Sequence, residues 1–295
     1  MLAPVIIFAF NRPESFRRTV ESLLANPEAA DTDLFIFIDG PRNEDERPAT
    51  DEVARVARTV EGFRSVKIAA SSENKGLGPS VIAGVTEVIG RYGKVIVVED
   101  DLILQPNFLS FINRGLLEYA HCEDVFSICG YTNKVALPAD YPYDAYFGVR
   151  SSSWGWATWK DRWDAIDWQL DPWEDYAGYG RAFNRWGGSD CFGMLKAWKS
   201  GRNASWAIRF CFSQFLGKKV SLFPVRSHVR NTGFDGTGTN CKKWSRFKTE
   251  LMSPDKVDFR LPPEVSCVRS ICRSALRYHS VPRRILSRIM YILRK

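Results

Sequence analysis

The first third of the chain alternates short, unbroken apolar runs with segments whose apolar residues recur at helical spacing. PVIIFAF (4–10), LFIFID (34–39), SVKIAAS (65–71) and KVIVVE (94–99) read as strands. Pro13 suits the first turn of a helix running to about Ala25. A charged, Ala/Val-periodic segment from about Thr50 to Phe63 and another from Gly78 to Ile89 predict two more helices. A fourth is expected from Pro106 to about Ala120, followed by a short strand near FSICGY (126–131). Continuous apolar strands separated by helices imply an α/β fold with a mostly parallel sheet covered on both faces. Ligands of such sheets bind beyond the carboxyl ends of the strands. Asn11-Arg12, Asp39-Gly40 and Glu99-Asp100-Asp101 stand at those ends, and Asn74-Lys75-Gly76 follows the third strand.

The texture changes in the second half. Residues 141–206 hold nine of the ten Trp, with many Gly and Asp, and predict irregular loops and short helices. No repeat or low-complexity linker marks a second core. An apolar content of 45% over 295 residues suffices for one substantial core. The net charge of +7 is concentrated at the end: from Ser266 onward there are eight Lys/Arg and no Asp/Glu. That tail suits an anionic partner, and the near-neutral remainder argues against a nucleic-acid protein. Seven Cys, with no Cys-x-x-Cys pair, and three His read as reduced thiols of a cytoplasmic protein, not as a disulfide frame or a zinc site. The opening LAPVIIFAF lacks a basic leader and is too short to cross a bilayer, so membrane contact is expected to be peripheral.

Three adjacent carboxylates repel one another, and a core cannot hold them unpaired. A solvated acidic turn is one reading of Glu99-Asp100-Asp101. Its place at the end of a buried strand, beside two other polar strand ends, favours a site for Mg²⁺ or Mn²⁺, which take oxygen ligands.

With PVIIFAFNRP (4–13), Asp39-Gly40 and EDDLILQPNF (99–108), the chain resembles GT-A-fold glycosyltransferases. The likeness is to the N-acetylglucosaminyltransferase I group and related bacterial surface-polysaccharide enzymes, and it runs from about Pro4 to Cys241. It implies a Rossmann-like GT-A domain over 1–241, with a donor half of about 1–105 and an acceptor half of about 106–241, then a basic extension over 242–295. It implies metal-dependent, inverting transfer of a sugar from a nucleotide diphosphate sugar, UDP-linked, to a lipid-linked bacterial surface glycan. Lipopolysaccharide is one such glycan. In that resemblance Asp101 ligates the metal, Asp100 contacts the donor ribose or sugar, and Glu99 contacts the sugar. Asp39 reads the nucleobase, Arg12 approaches the diphosphate beside Phe10 and Asn11, and Asn74 and Lys75 line the base or phosphate.

Trp154-Gly155-Trp156 is a candidate donor-sugar contact, because indole faces cover the apolar faces of sugars and Gly permits close backbone approach. Trp159 and Trp163 read as core. NTGFDGTGTN (231–240) reads as a mobile loop, with Phe234 and Asp235 as candidate donor contacts. His228 is a candidate second metal ligand, against the commoner reading of a structural hydrogen-bonding residue.

An inverting transferase needs a general base. In NASWAIRFCFSQF (203–215) the resemblance expects an Asp after Trp206, where Ala207 stands. Three readings are open: an engineered replacement of the base, another base such as Asp190 or Glu174, or a non-catalytic nucleotide-sugar- or glycan-binding protein. Finally, RRILSRIMYILRK (283–295) places Ile285, Leu286, Ile289, Met290, Ile292 and Leu293 on one helical face. Arg284, Arg288 and Lys295 lie opposite, as in an interfacial helix on anionic lipid. A terminal helix docked on the domain is the alternative.

Overall fold

The computed structural model describes residues 1–235, 247 and 249–293. The four apolar runs form β1 (Val5–Ala9), β2 (Asp33–Ile38), β3 (Ser65–Ala70) and β4 (Lys94–Glu99). They alternate with α1 (Pro13–Leu24), α2 (Arg47–Ala57) and α3 (Leu77–Tyr92). Pro13 opens α1, whose Phe16, Thr19, Val20 and Leu23 are buried at the i, i+3, i+4, i+7 spacing of one helical face. α3 stops at Gly93, which takes φ 74° and donates its N–H to Ile89 O at 2.8 Å. α2 ends six residues before the expected Phe63, and Gly62 at φ 91° lies in the turn into β3.

β5 (Leu102–Leu104) and α4 (Phe108–Glu118) follow, then β6 (Val125–Cys129), β7 (Ala145–Gly148) and β8 (Trp156–Trp159). Four short helices come next: α5 (Lys160–Asp164), α6 (Glu174–Ala177), α7 (Gly180–Gly187) and α8 (Cys191–Lys199). The chain continues through α9 (Trp206–Leu216), β9 (Val220–Pro224) and β10 (Val229–Asn231), and ends in α10 (Arg269–Leu276) and α11 (Val281–Leu293).

Eight of the described strands make one mixed, mostly parallel sheet in the order β3-β2-β1-β4-β8-β6-β9-β7. β8 and β7 run against the other six. The chain steps outward from β1 to β2 and β3, then returns to place β4 on the other side of β1. That return creates a switch point between β1 and β4, where crevices for ligands open. α1, α2 and α4 cover one face of the sheet, while α3 and α9 cover the other. A Cβ on Gly84 would lie 2.9 Å from Phe8, so a glycine there lets α3 sit close to β1.

The aromatic half is less irregular than its composition suggests. Trp156-Ala157-Thr158-Trp159 is a fully buried strand, inserted between β4 and β6. Trp159 and Trp163 are core residues, as expected. The segment after 242 is also bound into the domain where it is described. Asn107 Nδ2 donates to the carbonyls of Ser253 and Lys256 at 2.8 and 2.7 Å, Tyr119 Oη donates to Pro262 O at 2.7 Å, and Ile271 is fully buried. Cys122, Cys129, Cys191, Cys211, Cys267 and Cys272 are free thiols, and Cys241 lies outside the described residues. Among the described residues no helix is long and apolar enough to cross a membrane.

Candidate active site

A cavity of about 840 Å³ opens at the carboxyl ends of β1, β2 and β4, closed on its far side by residues 203–207 ahead of α9. Phe10, Asn11, Arg12, Asp39, Asn74 and Lys75 all line it, as do Glu99, Asp100, Asp101 and Trp154. The topology therefore brings the three polar strand ends and the loop after β3 to one place.

Burial governs the acidic triplet. Asp100 and Asp101 are 3% and 5% exposed. The guanidinium of Arg12 spans both: Nη2 pairs with Asp100, and Nη1 donates to Asp101 Oδ2 at 3.2 Å. The Phe10 N–H adds a bond to Asp100 Oδ2 at 3.2 Å. Burial, with Asp101 and Asp100 alongside, still pushes the Glu99 carboxyl up to about 8 against the pull of Arg12. Burial likewise pushes Asp100 up to about 6, opposed by Arg12. The backbone of Asp101 is fixed by the β5–β10 ribbon, since its carbonyl accepts from Thr232 N at 2.8 Å and Thr232 Oγ1 at 2.9 Å. Gly233 presses so closely that a Cβ would lie 2.2 Å from Asp101 Oδ2.

These donors fit a hard dication in kind. They are carboxylate oxygens, joined at the cavity wall by the amide of Asn231, and a guanidinium already stands in as their counter-cation. Among the described residues no three His, Cys, Asp or Glu side chains converge on one point. A dication here would therefore rest on one or two carboxylates and complete its shell with phosphate or water, as Mg²⁺ and Mn²⁺ commonly do.

His228 takes no part. It is fully buried, stacked on Phe111 at 4.5 Å, with Nδ1 2.8 Å from Asn107 Oδ1. In the β5–β10 register it precedes Val229, which faces Leu104, whereas Asp101 adjoins the Leu102–Asn231 pair. Roughly three to four strand residues, on the order of 10 Å, separate the two. The expectation of a second metal ligand at His228 is corrected: it is a core residue.

Asp39 is also differently employed. Oδ1 accepts from the N–H of Lys75 at 2.8 Å and of Gly40 at 3.1 Å, while Oδ2 accepts from Gly76 N at 2.9 Å and Asn74 Nδ2 at 3.1 Å. A carboxylate has about four acceptor positions, and all are used. Asp39 clamps the 74–76 loop onto the end of β2 while lining the cavity. Gly40 makes the clamp feasible, because a Cβ there would meet the backbone of Glu73 at 2.5 Å.

The Trp154-Gly155-Trp156 turn divides. Trp154 faces the cavity, with Tyr131, Phe234 and Phe247 around it at 4.4, 5.7 and 5.7 Å. Gly155 takes φ 65°, and a Cβ would strike Val229 at 2.9 Å and Phe108 at 3.0 Å. Trp156 points into the core, 1% exposed, stacked on Trp206 at 4.9 Å and Trp163 at 6.0 Å. Its assignment as a donor contact is corrected, as is that of Gly155, which serves packing. Phe234 does not line the cavity and packs against Trp154. The side chain of Asp235 and residues 236–240 of its loop lie outside the described residues.

Ala207 is the second residue of α9, whose N-cap Ser205 accepts from Ile208 N at 3.3 Å. It lines the large cavity and also a second one of about 230 Å³, walled by Tyr131, Arg150, Phe223 and the inner face of α10. Neither alternative base reaches either cavity. Asp190 is engaged by Arg150 at 2.8 Å, and Glu174 is exposed on α6. Arg42, not anticipated from the sequence, pairs with Glu46 and lies with its guanidinium 5.2 Å from the Phe10 ring at the cavity wall. Its signal was its position, two residues past the Asp39-Gly40 strand end.

Residues 5–116 match the sequence profile of glycosyl transferase family 2. The matched residues span β1 to α4 and include Arg12, Asp39, the 74–76 loop and the acidic triplet. No curated protein matches the sequence. Among solved structures, the mannosyltransferase PcManGT from Pyrobaculum calidifontis is 10% identical, with 60% of this chain and 47% of that one covered and a TM-score of 0.37. TarS from S. aureus is 13% identical, with 47% and 23% covered and a TM-score of 0.34. A UDP-glucose pyrophosphorylase is 10% identical, with 79% and 92% covered and a TM-score of 0.39. The chain spans about half or less of the first two structures.

Proposed function

We propose that this chain binds a nucleotide diphosphate sugar, UDP-linked, in the large cavity and acts as an inverting glycosyltransferase of the GT-A type. The observation that carries the reading is the buried Arg12–Asp100–Asp101 cluster at the β1/β4 switch point, inside a segment that matches glycosyl transferase family 2. Asp101, with Asn231 beside it, would hold Mn²⁺ or Mg²⁺. When bound, that ion supplies electrostatic stabilisation of the charge that builds on a leaving diphosphate. Phe10 offers a flat apolar face and Lys75 offers positive charge along the same wall, suited to a base and phosphates, while Arg42 is paired with Glu46.

The smaller cavity supports an acceptor site. It meets the large one at Ser153, Trp154, Met194 and Ala207, so an acceptor hydroxyl entering there would approach the donor beside Trp154. On this reading residues 1–105 form the donor half and 106–241 the acceptor half, with α10 of the basic extension walling the acceptor side.

α11 supports a lipid-linked surface glycan as acceptor. Arg284 turns inward to Ser189 Oγ at 3.2 Å, while Ile285, Leu286 and Ile289 point outward at 53%, 45% and 47% exposure, beside exposed Arg283 and Arg288. A docked helix would bury that apolar face. An outward apolar face rimmed with Arg suits the anionic cytoplasmic leaflet. The side chains of 291–295 lie outside the described residues.

Ala207 favours a second reading, a non-catalytic nucleotide-sugar-binding protein, because the position at the junction of the two cavities carries no carboxylate. Both readings share donor binding. Thermal shift with UDP-sugars, with and without Mn²⁺, tests it, since ligands that bind only the folded state raise the melting temperature. A metal-dependent rise is expected, and no shift with any nucleotide sugar refutes both readings.

A further inference from the structure

The Arg12 side chain poses a question that the proposed donor site leaves open. Its guanidinium lies on the same carboxylates that a dication would use. Nη1 is 3.2 Å from Asp101 Oδ2, and Nη2 holds Asp100. A dication would need an Asp101 oxygen at about 2.1 Å. Arg12 meets only Oδ2, but a dication on either oxygen of Asp101 would stand close to the guanidinium, with like-charge repulsion in a pocket whose carboxylates are only 5–6% exposed.

The Arg12 backbone has little freedom to yield. It precedes the first residue of α1, and its carbonyl accepts Phe16 N at 2.9 Å. The side chain is different: it is long, 20% exposed and faces the open cavity. Its planar fork suits phosphate oxygens as well as carboxylates. Swinging away without a new anionic partner would leave a partly buried guanidinium uncompensated, whereas a diphosphate in the cavity supplies that partner.

We propose that Arg12 is an internal counter-ion that holds the Asp100–Asp101 pair closed to metal until a diphosphate arrives to take its guanidinium. Metal and diphosphate then bind as a unit, and the ion without diphosphate binds only weakly. The inference rests on the reading of the triplet as a dication site. It assigns Arg12 a positioning role through the carboxylates, in addition to its phosphate contact.

The test is a Mn²⁺ titration followed by the EPR signal of the free ion, on wild type, Arg12→Gln and Arg12→Lys, without activity measurements. Arg12→Gln is expected to bind Mn²⁺ alone about tenfold or more tighter than wild type. Adding inorganic pyrophosphate is expected to tighten Mn²⁺ binding in wild type more than in Arg12→Gln. In EDTA the variant should melt below wild type and recover with Mn²⁺. Arg12→Lys keeps the charge but loses the fork, so a smaller gain in Mn²⁺ affinity is expected; it carries the comparison if Arg12→Gln does not fold. Equal Mn²⁺ affinities in folded wild type and variant overturn the counter-ion role while the dication site stands. No Mn²⁺ bound by either protein, with or without pyrophosphate, overturns both.

Discussion

Replacing Ala207 by Asp places a carboxylate in the first turn of α9, at the junction of the two cavities. The backbone needs no change, because Ser205 already caps the helix. A negative charge in the first turn gains about 0.3–1 kcal/mol from the unpaired N–H groups of the helix end. That corresponds to a carboxyl pKa lowered by roughly 0.2–0.7. The new Asp therefore ionises below neutral pH and costs folding little. A positioned base contributes about 10²–10⁴-fold in rate, and a lowered pKa weakens the base, so the low end applies. Ala207→Asp is expected to raise transfer about a hundredfold, read as nucleoside diphosphate released in the presence of a glycan acceptor. Ala207→Asn has the same shape without a base and should stay at the starting rate. If the Asp variant binds donor and melts normally yet turns over no faster, or if Asn gains equally, no base belongs at position 207.

Two further outcomes follow from the geometry. Removing residues 283–295 is expected to abolish binding to anionic vesicles with donor affinity unchanged; undiminished vesicle binding takes the tail out of the account. His228 supplies a pH dependence: burial holds its pKa down at about 3, below the unfolded value, so the folded state binds fewer protons than the unfolded state between about pH 6.5 and 3. Stability should fall as pH drops through that window, by up to about 1.4 kcal/mol per pH unit from this group. His228→Phe, which keeps a ring against Phe111, should lose less stability than wild type between pH 7 and 4 in urea unfolding, and an equal loss refutes the assignment.

The donor half was largely legible because its signals are local. A buried parallel strand announces itself as an unbroken apolar run, and a strand end as the polar residue that stops it, so the sequence alone places Phe10–Arg12, Asp39 and Glu99–Asp101 on one edge of a sheet. The aromatic half was less legible, because Trp suits both a core and a sugar face. Trp154 and Trp156 lie two residues apart, yet the left-handed turn at Gly155 breaks the alternation and sends one to the cavity and the other beneath Trp206.

The sequence by itself determined the alternating strands and helices of the first 120 residues, the acidic run after β4 and the basic amphipathic tail, since each follows from residues within a few positions of one another. Only the tertiary structure decided how the charges and acceptors were used. Arg12 meets Asp100 and Asp101 across nearly ninety residues, Asp39 spends its oxygens on the 74–76 loop, and His228 stacks inside on Phe111. Charge and hydrogen-bonding capacity are properties of a residue, but whether they are spent on the fold or remain for a ligand depends on which partners the packing brings within about 3 Å.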